Sequence, residues 1–306
     1  MGTDKNIIKS GFVAIAGRPN SGKSTFLNSI ADMKMSIVSD KPQTTRDNIM
    51  YIHNDSMSQI IFTDTPGVHS SKDKLGEKMN ARALRAVIES DIVLLIIDAR
   101  HPEITQTEIS FCDTAKDNDK PVILLINKTD IIEKEKLLPI IKMYSEKFTL
   151  NEIIPVSALK NIGLDSVIKI LRELLPEGPR YYPEETITDQ TEKSLASEII
   201  REKVIRFTSE EIPHGIAVEI NRFEEITDEN ERKLVKIKAD IFCEKESHKK
   251  MIIGKGGQMV KRIGTAARMD MERMLHNKVY LELFVKVKKD WRNDEQALFS
   301  FGYRDK

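Results

Sequence analysis

Nine consecutive residues, Gly17-Arg18-Pro19-Asn20-Ser21-Gly22-Lys23-Ser24-Thr25, hold two glycines, a lysine and a hydroxyl at the spacing G-x-x-x-x-G-K-[ST]. Glycines there let backbone amides close around an oxyanion with no Cβ in the way. The helix expected to follow points its N-terminal partial charge at the same anion. Lys23 can reach the β- and γ-phosphates of a nucleotide, and the Ser24 hydroxyl can ligate Mg²⁺. Three further runs carry matching chemistry. Asp64-Thr65-Pro66-Gly67 offers a carboxylate for Mg²⁺, usually through water, and the Gly67 N–H for a γ-phosphate. In Asn127-Lys128-Thr129-Asp130, a carboxylate that accepts from a ring N1–H and an exocyclic amine selects guanine over adenine, which has neither. Ser157-Ala158-Leu159 supplies the Ala158 N–H for the carbonyl oxygen of the base.

These residues need elements that bring them together. Residues 12–16 are an apolar strand entering the first loop, and 25–30 are the helix leaving it. Alternation at 49–52 and 59–63 predicts two strands, the second running straight into Asp64. Residues 72–90 read as a helix, and 92–97 are continuously apolar, as in a parallel strand covered on both faces. A helix over about 103–116, a strand at 122–126, a helix at 134–147, a strand at 153–156 and a helix at 164–175 complete the half. A capping Asp in an ordinary loop is the plain alternative for Asn127 to Asp130. Its place at a strand's C-terminal edge, where doubly wound sheets bind ligands, argues against that.

The chain has 306 residues, enough for two domains, with 48 basic and 48 acidic side chains. At zero formal net charge, any nucleic-acid surface must come from local segregation of charge. Cys112 and Cys243 lie far apart with no metal-ligand spacing, which points to a reduced cytosolic compartment rather than a disulfide framework. No apolar run approaches the ~18 residues of a membrane span, and residues 1–10 show neither a signal nor a transit pattern.

Three prolines and a glycine over 175–183 break helical periodicity, so we expect domains at 1–178 and 186–306 with 179–185 as linker. Beyond it, 190–207 is an amphipathic helix with Ala196, Ile200, Val204 and Phe207 on one face. Strands follow from alternation at Ile216, Val218 and Ile220, and at Val235, Ile237, Ala239 and Ile241. Gly254-Lys255-Gly256-Gly257 then precedes a helix with Val260, Ile263, Ala267, Met271 and Met274 inward, and a last strand alternates Leu281, Leu283, Val285 and Val287. Lys249, Lys250, Lys261, Arg262 and Arg268 gather a basic face around the glycines. Met269, Met271 and Met274 are expected in the core. Trp291 either stacks a base or packs beneath a final helix.

The order of phosphate loop, Thr loop, D-x-x-G, N-K-x-D and S-A-x over 11–175 resembles the GTPase superfamily. The α-β-β-α-(G-x-x-G)-α-β order resembles a prokaryotic, type II KH domain, whose G-x-x-G loop clamps a single-stranded RNA backbone. The implied fold is an α/β P-loop GTPase domain, mostly parallel with helices on both faces, followed by a smaller α+β type II KH domain. Together with Pro42-Gln43-Thr44-Thr45-Arg46, the whole chain resembles the Era family of ribosome-assembly GTPases. That resemblance implies GTP hydrolysis and binding near the 3′ end of small-subunit ribosomal RNA during assembly of the small (30S) subunit. It further implies a cytoplasmic bacterial monomer with peripheral contact at the inner face of the membrane. By the same resemblance Thr45, rather than Thr44, closes over Mg²⁺, which Ser24 and Asp64 also serve. Val68 stands where Ras-like enzymes keep a glutamine that orients water. Asn20 resembles the asparagine by which a potassium-stimulated group of GTPases holds K⁺ beside the phosphates. Asn20, Lys23, Thr45 and Gly67 are thereby the expected catalytic set. His69, beside that loop, is expected in a loop role.

Two other functions compete. Val68 leaves room for a nucleotide-regulated RNA-binding protein with negligible turnover, separable by phosphate release in K⁺ against Na⁺. A tRNA-modifying or membrane-signalling GTPase is disfavoured, because the KH pattern occupies the place of any modification or transport domain.

Overall fold

The computed structural model describes residues 7–31, 49–65, 73–208, 215–227 and 233–303. Its contacts divide the chain into two compact units, one containing the residues from Met79 to Asp189 with the first phosphate loop, the other Gln190–Lys306.

The first unit is built on strands β1 (Ile8–Ala16), β2 (Ile49–Asn54), β3 (Ser58–Asp64), β4 (Ile92–Asp98), β5 (Val122–Asn127), β6 (Glu152–Pro155) and β7 (Glu177–Gly178). They form one sheet in the order β2-β3-β1-β4-β5-β6, with β7 antiparallel on β1. The β2–β3 pair is antiparallel, and β3, β1, β4, β5 and β6 run parallel. Every residue of β4 is buried, as its unbroken apolar run requires, and each such side chain contributes roughly 1.5–3 kcal/mol. Helices cover both faces. Alternate residues Val13, Ile15, Leu94 and Ile96 pack against Phe26 and Leu27 of α1 (Lys23–Ala31) and Val167 and Leu171 of α5 (Leu164–Leu174). On the other face, Ala14, Ala16, Val93 and Leu95 meet Ala83 and Val87 of α2 (Lys74–Glu89), Phe111 of α3 (Gln106–Asp117) and Tyr144 of α4 (Leu137–Lys147). The helix expected to begin at 134 starts at Leu137, after a 3₁₀ turn over Lys134–Lys136. Pro139 then falls in the first helical turn, where its missing N–H costs nothing.

The proline-rich segment after α5 is fastened along the β2–β3 hairpin. Gln59 is fully buried; its Nε2 donates to Tyr182 O (2.8 Å) and its Oε1 accepts from Tyr181 N (2.7 Å) and Tyr182 N (3.0 Å). Ile52 N donates to Ile187 O at 2.8 Å, and Thr188 Oγ1 to Met50 O at 2.6 Å. Residues 181–188 are therefore part of the first unit, held by the unused edge of β2.

The second unit has α6 (Glu192–Phe207), β8 (Ala217–Thr227), β9 (Lys233–Cys243), α7 (Glu246–Ile253), α8 (Gln258–Leu275), β10 (Lys278–Val287) and α9 (Glu295–Ser300). Its sheet runs β10-β9-β8, with β10 parallel and β8 antiparallel to β9. Ala196, Ile200 and Val204 of α6 and Ile263, Ala267 and Met271 of α8 bury against Val235, Ile237, Ala239 and Ile241. Met274 packs at the margin of that core. Met269 departs from expectation: it is 51 % exposed, because two positions before Met271 lies on another side of the helix. Trp291 is fully buried and donates its Nε1–H to Gly215 O at 3.1 Å. Phe301 and Tyr303 cover its ring, which leaves no face for a base. Cys112 and Cys243 are both buried and unbridged.

Candidate functional site

The C-terminal ends of β1, β3, β4 and β5 open onto one edge of the first sheet, and the chemistry-bearing runs sit there. Gly22 has φ +101°, and a Cβ on it would collide with the Asn127 side chain. The phosphate loop and the Asn127 loop thus touch only because residue 22 is glycine. Lys23 is buried, its Nζ donating to Gly17 O (2.9 Å) and Arg18 O (2.8 Å). Burial pushes the ammonium pKa down to about 8, a shift that Asp64 and Glu108 only partly offset. Ser24 Oγ donates to Asp64 Oδ2 at 3.0 Å, which places a hydroxyl and a carboxylate side by side. Thr65 is fully buried and bonds Ile15 O through its hydroxyl (2.7 Å), tying the end of β3 to β1.

Arg18 turns its side chain away from the loop. Its Nε lies 2.8 Å from Glu108 Oε1 and its Nη1 3.1 Å from Glu103 Oε1, while Nη2 reaches His101 O. Burial would lower the guanidinium pKa, but the charge of fully buried Glu108 and the bond to Glu103 leave it above its ordinary value. Glu108 also closes the capping box of α3 with Thr105. Arg18 thus anchors the loop to α3 and leaves phosphate contact to the backbone amides.

At the base end, Asn127 is buried and bridges two loops. Its Nδ2 donates to Ser21 O (2.9 Å), and its Oδ1 accepts from Ala158 N (3.0 Å). The amide expected to meet the base's carbonyl oxygen is therefore engaged by Asn127. Asp130 is exposed, with Oδ1 accepting from Ser157 Oγ at 2.6 Å. Leu159, two residues after Ser157, is 74 % exposed, an apolar side chain open to lie against a ring. Lys128 Nζ reaches both Asn20 O and Asp98 Oδ2 at 2.7 Å. Sequence reasoning missed Asp98 and Glu108. Asp98 was legible as a third polar residue ending an apolar strand, like Asp64 and Asn127, whereas Glu108 is marked locally only as the end of a Thr105-x-x-Glu108 capping box, with nothing to show that it faces Arg18. Thr44, Thr45, Pro66, Gly67, Val68 and His69 lie outside the described residues.

In the second unit, α7 ends at Ile253, and Gly254-Lys255-Gly256-Gly257 turns directly into α8. Gly257 has φ +77° and nothing within 4 Å of where a Cβ would stand, so the backbone is open to close approach. Lys255, Lys250 and Lys261 are exposed around this helix start, and Lys249 is half-buried. Arg262 is held 4.3 Å over the Phe207 ring of α6, which fixes its charge on one side of α8. Arg268 is exposed, six residues and roughly 9 Å beyond Arg262 along the helix axis at 1.5 Å per residue. The loop and the first turn of α8 form a compact basic site, and Arg268 extends it. Among the described residues no three His, Cys, Asp or Glu side chains gather as a metal site, and no helix is long and apolar enough to cross a membrane.

A mostly parallel sheet with a phosphate loop after its first strand and a guanine-type N-K-x-D after its fifth defines a P-loop GTPase domain. Here it is joined to a KH domain. A family model described as "50S ribosome-binding GTPase" matches residues 12–128, and one described as "KH domain" matches 211–292. The chain is 47 % identical over 296 residues to GTPase Era of Ruminiclostridium cellulolyticum, covering 97 % of this chain and 98 % of that one. It is 44 % identical over 301 residues to GTPase Era of Clostridioides difficile, covering 98 % and 100 %. Aquifex aeolicus Era bound to GDP.AlF4⁻ superposes with a TM-score of 0.93 at 41 % identity, over 97 % of this chain and 100 % of that one. A structure of Era with MgGDPNP and nucleotides 1506–1542 of 16S ribosomal RNA matches at the same score, identity and coverage. The chain belongs to the Era family of GTPases.

Proposed function

We propose that this protein binds GTP at the edge of its first sheet, hydrolyses it to GDP and phosphate, and holds the 3′ end region of small-subunit ribosomal RNA on its KH domain while the 30S subunit assembles. The observation that carries this reading is the convergence of buried Lys23, the Ser24–Asp64 pair and the Asn127–Asp130 loop on one strand edge, in a chain that also presents an open G-x-x-G turn. The relative solved with 16S ribosomal RNA supports the RNA assignment. The GTPase-domain model names the large subunit, but it matches only 12–128 and not the RNA-binding half.

Lys23 leaves the Gly17 and Arg18 carbonyls for the β- and γ-phosphates, while the backbone N–H groups of the loop, which Pro19 lacks, cradle them. The Ser24 hydroxyl and Asp64 carboxylate are hard oxygen donors that fit Mg²⁺. This ion takes one or two protein ligands plus phosphates rather than an all-protein cage. Bound there, Mg²⁺ neutralises charge on the phosphates. Thr45 would join the ligands of the metal, and the Gly67 N–H would donate to the γ-phosphate. The Asp130 carboxylate accepts the guanine N1–H and amine, and Ala158 N–H turns from Asn127 to the base's carbonyl oxygen. Asn20 would hold K⁺ where an arginine finger acts elsewhere, and the ion would supply positive charge beside the phosphates. Gly254, Lys255, Gly256 and Gly257 clamp the RNA backbone, with Lys249, Lys250, Lys261, Arg262 and Arg268 adding charge. The functional division follows the two units: a GTPase domain over the expected 1–178 with the segment fastened to it as far as Asp189, and an RNA-binding domain from Gln190 onward rather than from 186. Family membership also supports a cytoplasmic monomer with peripheral contact at the inner membrane face, which sedimentation and flotation with vesicles test.

The deciding experiment titrates labelled 3′-end small-subunit RNA into the protein with a GTP analogue and with GDP, alongside phosphate release in K⁺ and in Na⁺. Tighter RNA binding in the GTP state is expected, and by reciprocity RNA then favours GTP by the same factor. Equal affinities in both states would leave two independent domains and end the switch reading.

A further inference from the structure

Strand β4 lies between β1, which feeds the phosphate loop, and β5, which feeds Asn127 to Asp130. Its last residue is Asp98, 8 % exposed. Asp98 Oδ2 accepts from Lys128 Nζ at 2.7 Å, and the same ammonium donates to Asn20 O at 2.7 Å. Arg100 also grips the carboxylate, with Nη2 2.7 Å and Nε 3.2 Å from Oδ2 and the backbone N 3.0 Å from Oδ1. Burial would raise this carboxyl, but the bonds from Arg100 and Lys128 win and hold it at about 2. Asn20 and Lys128, which this bridge joins, both have left-handed backbones (φ 64° and 66°). Residues other than glycine keep that conformation only where their surroundings fix it.

We propose that Asp98 is a positioning residue of the nucleotide site: its carboxylate pins the Lys128 ammonium against the Asn20 carbonyl and so sets the spacing between the phosphate loop and the base-recognition loop before a nucleotide arrives. A lysine stem is flexible and its ammonium is a point charge. Released from Asp98, it must be ordered when the base binds, and that ordering is subtracted from affinity. Arg100 keeps the carboxylate charge-balanced. The inference rests on the guanine-site reading above and deepens it.

The test measures GDP affinity and release with a fluorescent GDP analogue on the full chain, for the parent, Asp98→Asn, Lys128→Met and the double variant. Asn keeps the shape and removes the charge. Asp98→Asn is expected to weaken binding about ten- to a hundredfold, the effect of one charge-assisted hydrogen bond, mainly through faster release. Because Asp98 acts through Lys128, the double variant should bind no more weakly than Lys128→Met alone. A merely structural Asp98 would give additive losses instead, and a melting temperature lowered in step. Asp98→Glu retains the charge, should recover part of the affinity, and carries the same double-variant test should the Asn form not fold. Binding within twofold of the parent, or additive losses, overturns the proposal. A parent chain that binds no GDP overturns the guanine-site reading itself.

Discussion

Raising the pH through the titration of Lys23 should weaken nucleotide binding by an amount that follows from its burial. In the ligand-free site the Lys23 pKa is about 8, against an ordinary 10.5, because burial outweighs the nearby charges of Asp64 and Glu108. Phosphate oxygens in place of the Gly17 and Arg18 carbonyls favour the charged form and return the pKa to its ordinary range or above. The free-state pKa then lies below the bound-state one. Affinity is full well below pH 8 and falls as pH rises, to about half at pH 8 and about a tenth at pH 9, with each further unit costing ~1.4 kcal/mol. By the same linkage, the ligand-free fold gains stability from this group between about pH 8 and 10.5, since the unfolded chain binds the extra proton there. Calorimetry of GDP binding at pH 8.5, in two buffers of different ionisation heat, should report uptake of roughly three quarters of a proton. Lys23→Met should bind weakly and take up none, which separates this effect from titration of the nucleotide. Flat affinity from pH 7 to 9 with no proton uptake by the parent would refute the reasoning.

Base choice should follow Asp130. Asp130→Asn is expected to shift preference from guanine towards xanthine nucleotides, because the amide donates to the 2-oxo group, and equal GTP and ATP affinity in the parent would end the assignment. Asn20→Ala should abolish K⁺ stimulation at a cost of roughly a hundred- to a thousandfold in turnover, the typical effect of one preorganised charge contact. GDP binding should stay nearly intact, as a comparison of phosphate release in K⁺ and Na⁺ with GDP titration would reveal. Lys255→Asp sets like charge against the RNA backbone, so RNA affinity and the steepness of its salt dependence should both fall while basal hydrolysis is retained. An unchanged salt slope would place the RNA elsewhere.

Much of the site was legible in the chain because its chemistry is local. A phosphate loop needs its glycines, lysine and hydroxyl within nine residues, and the strand before it and the helix after it fix where they sit. The same holds for Asn127 to Asp130 and for the G-x-x-G turn. The unbroken apolar runs of β4 and β5 announced strands buried on both faces, and the alternation in β9 announced one buried face. Tertiary structure alone decided how distant side chains meet. Arg18 faces Glu108, ninety positions on, rather than a phosphate. Ala158 N–H goes to Asn127, Trp291 is sealed by Gly215, Phe301 and Tyr303, and Met269 falls on the solvent side of α8. Asp98 becomes part of the site only because β4 is threaded between β1 and β5. Periodicity reports which face of an element is buried. It carries no information on which buried polar groups will be paired once burial has forced each to find a partner.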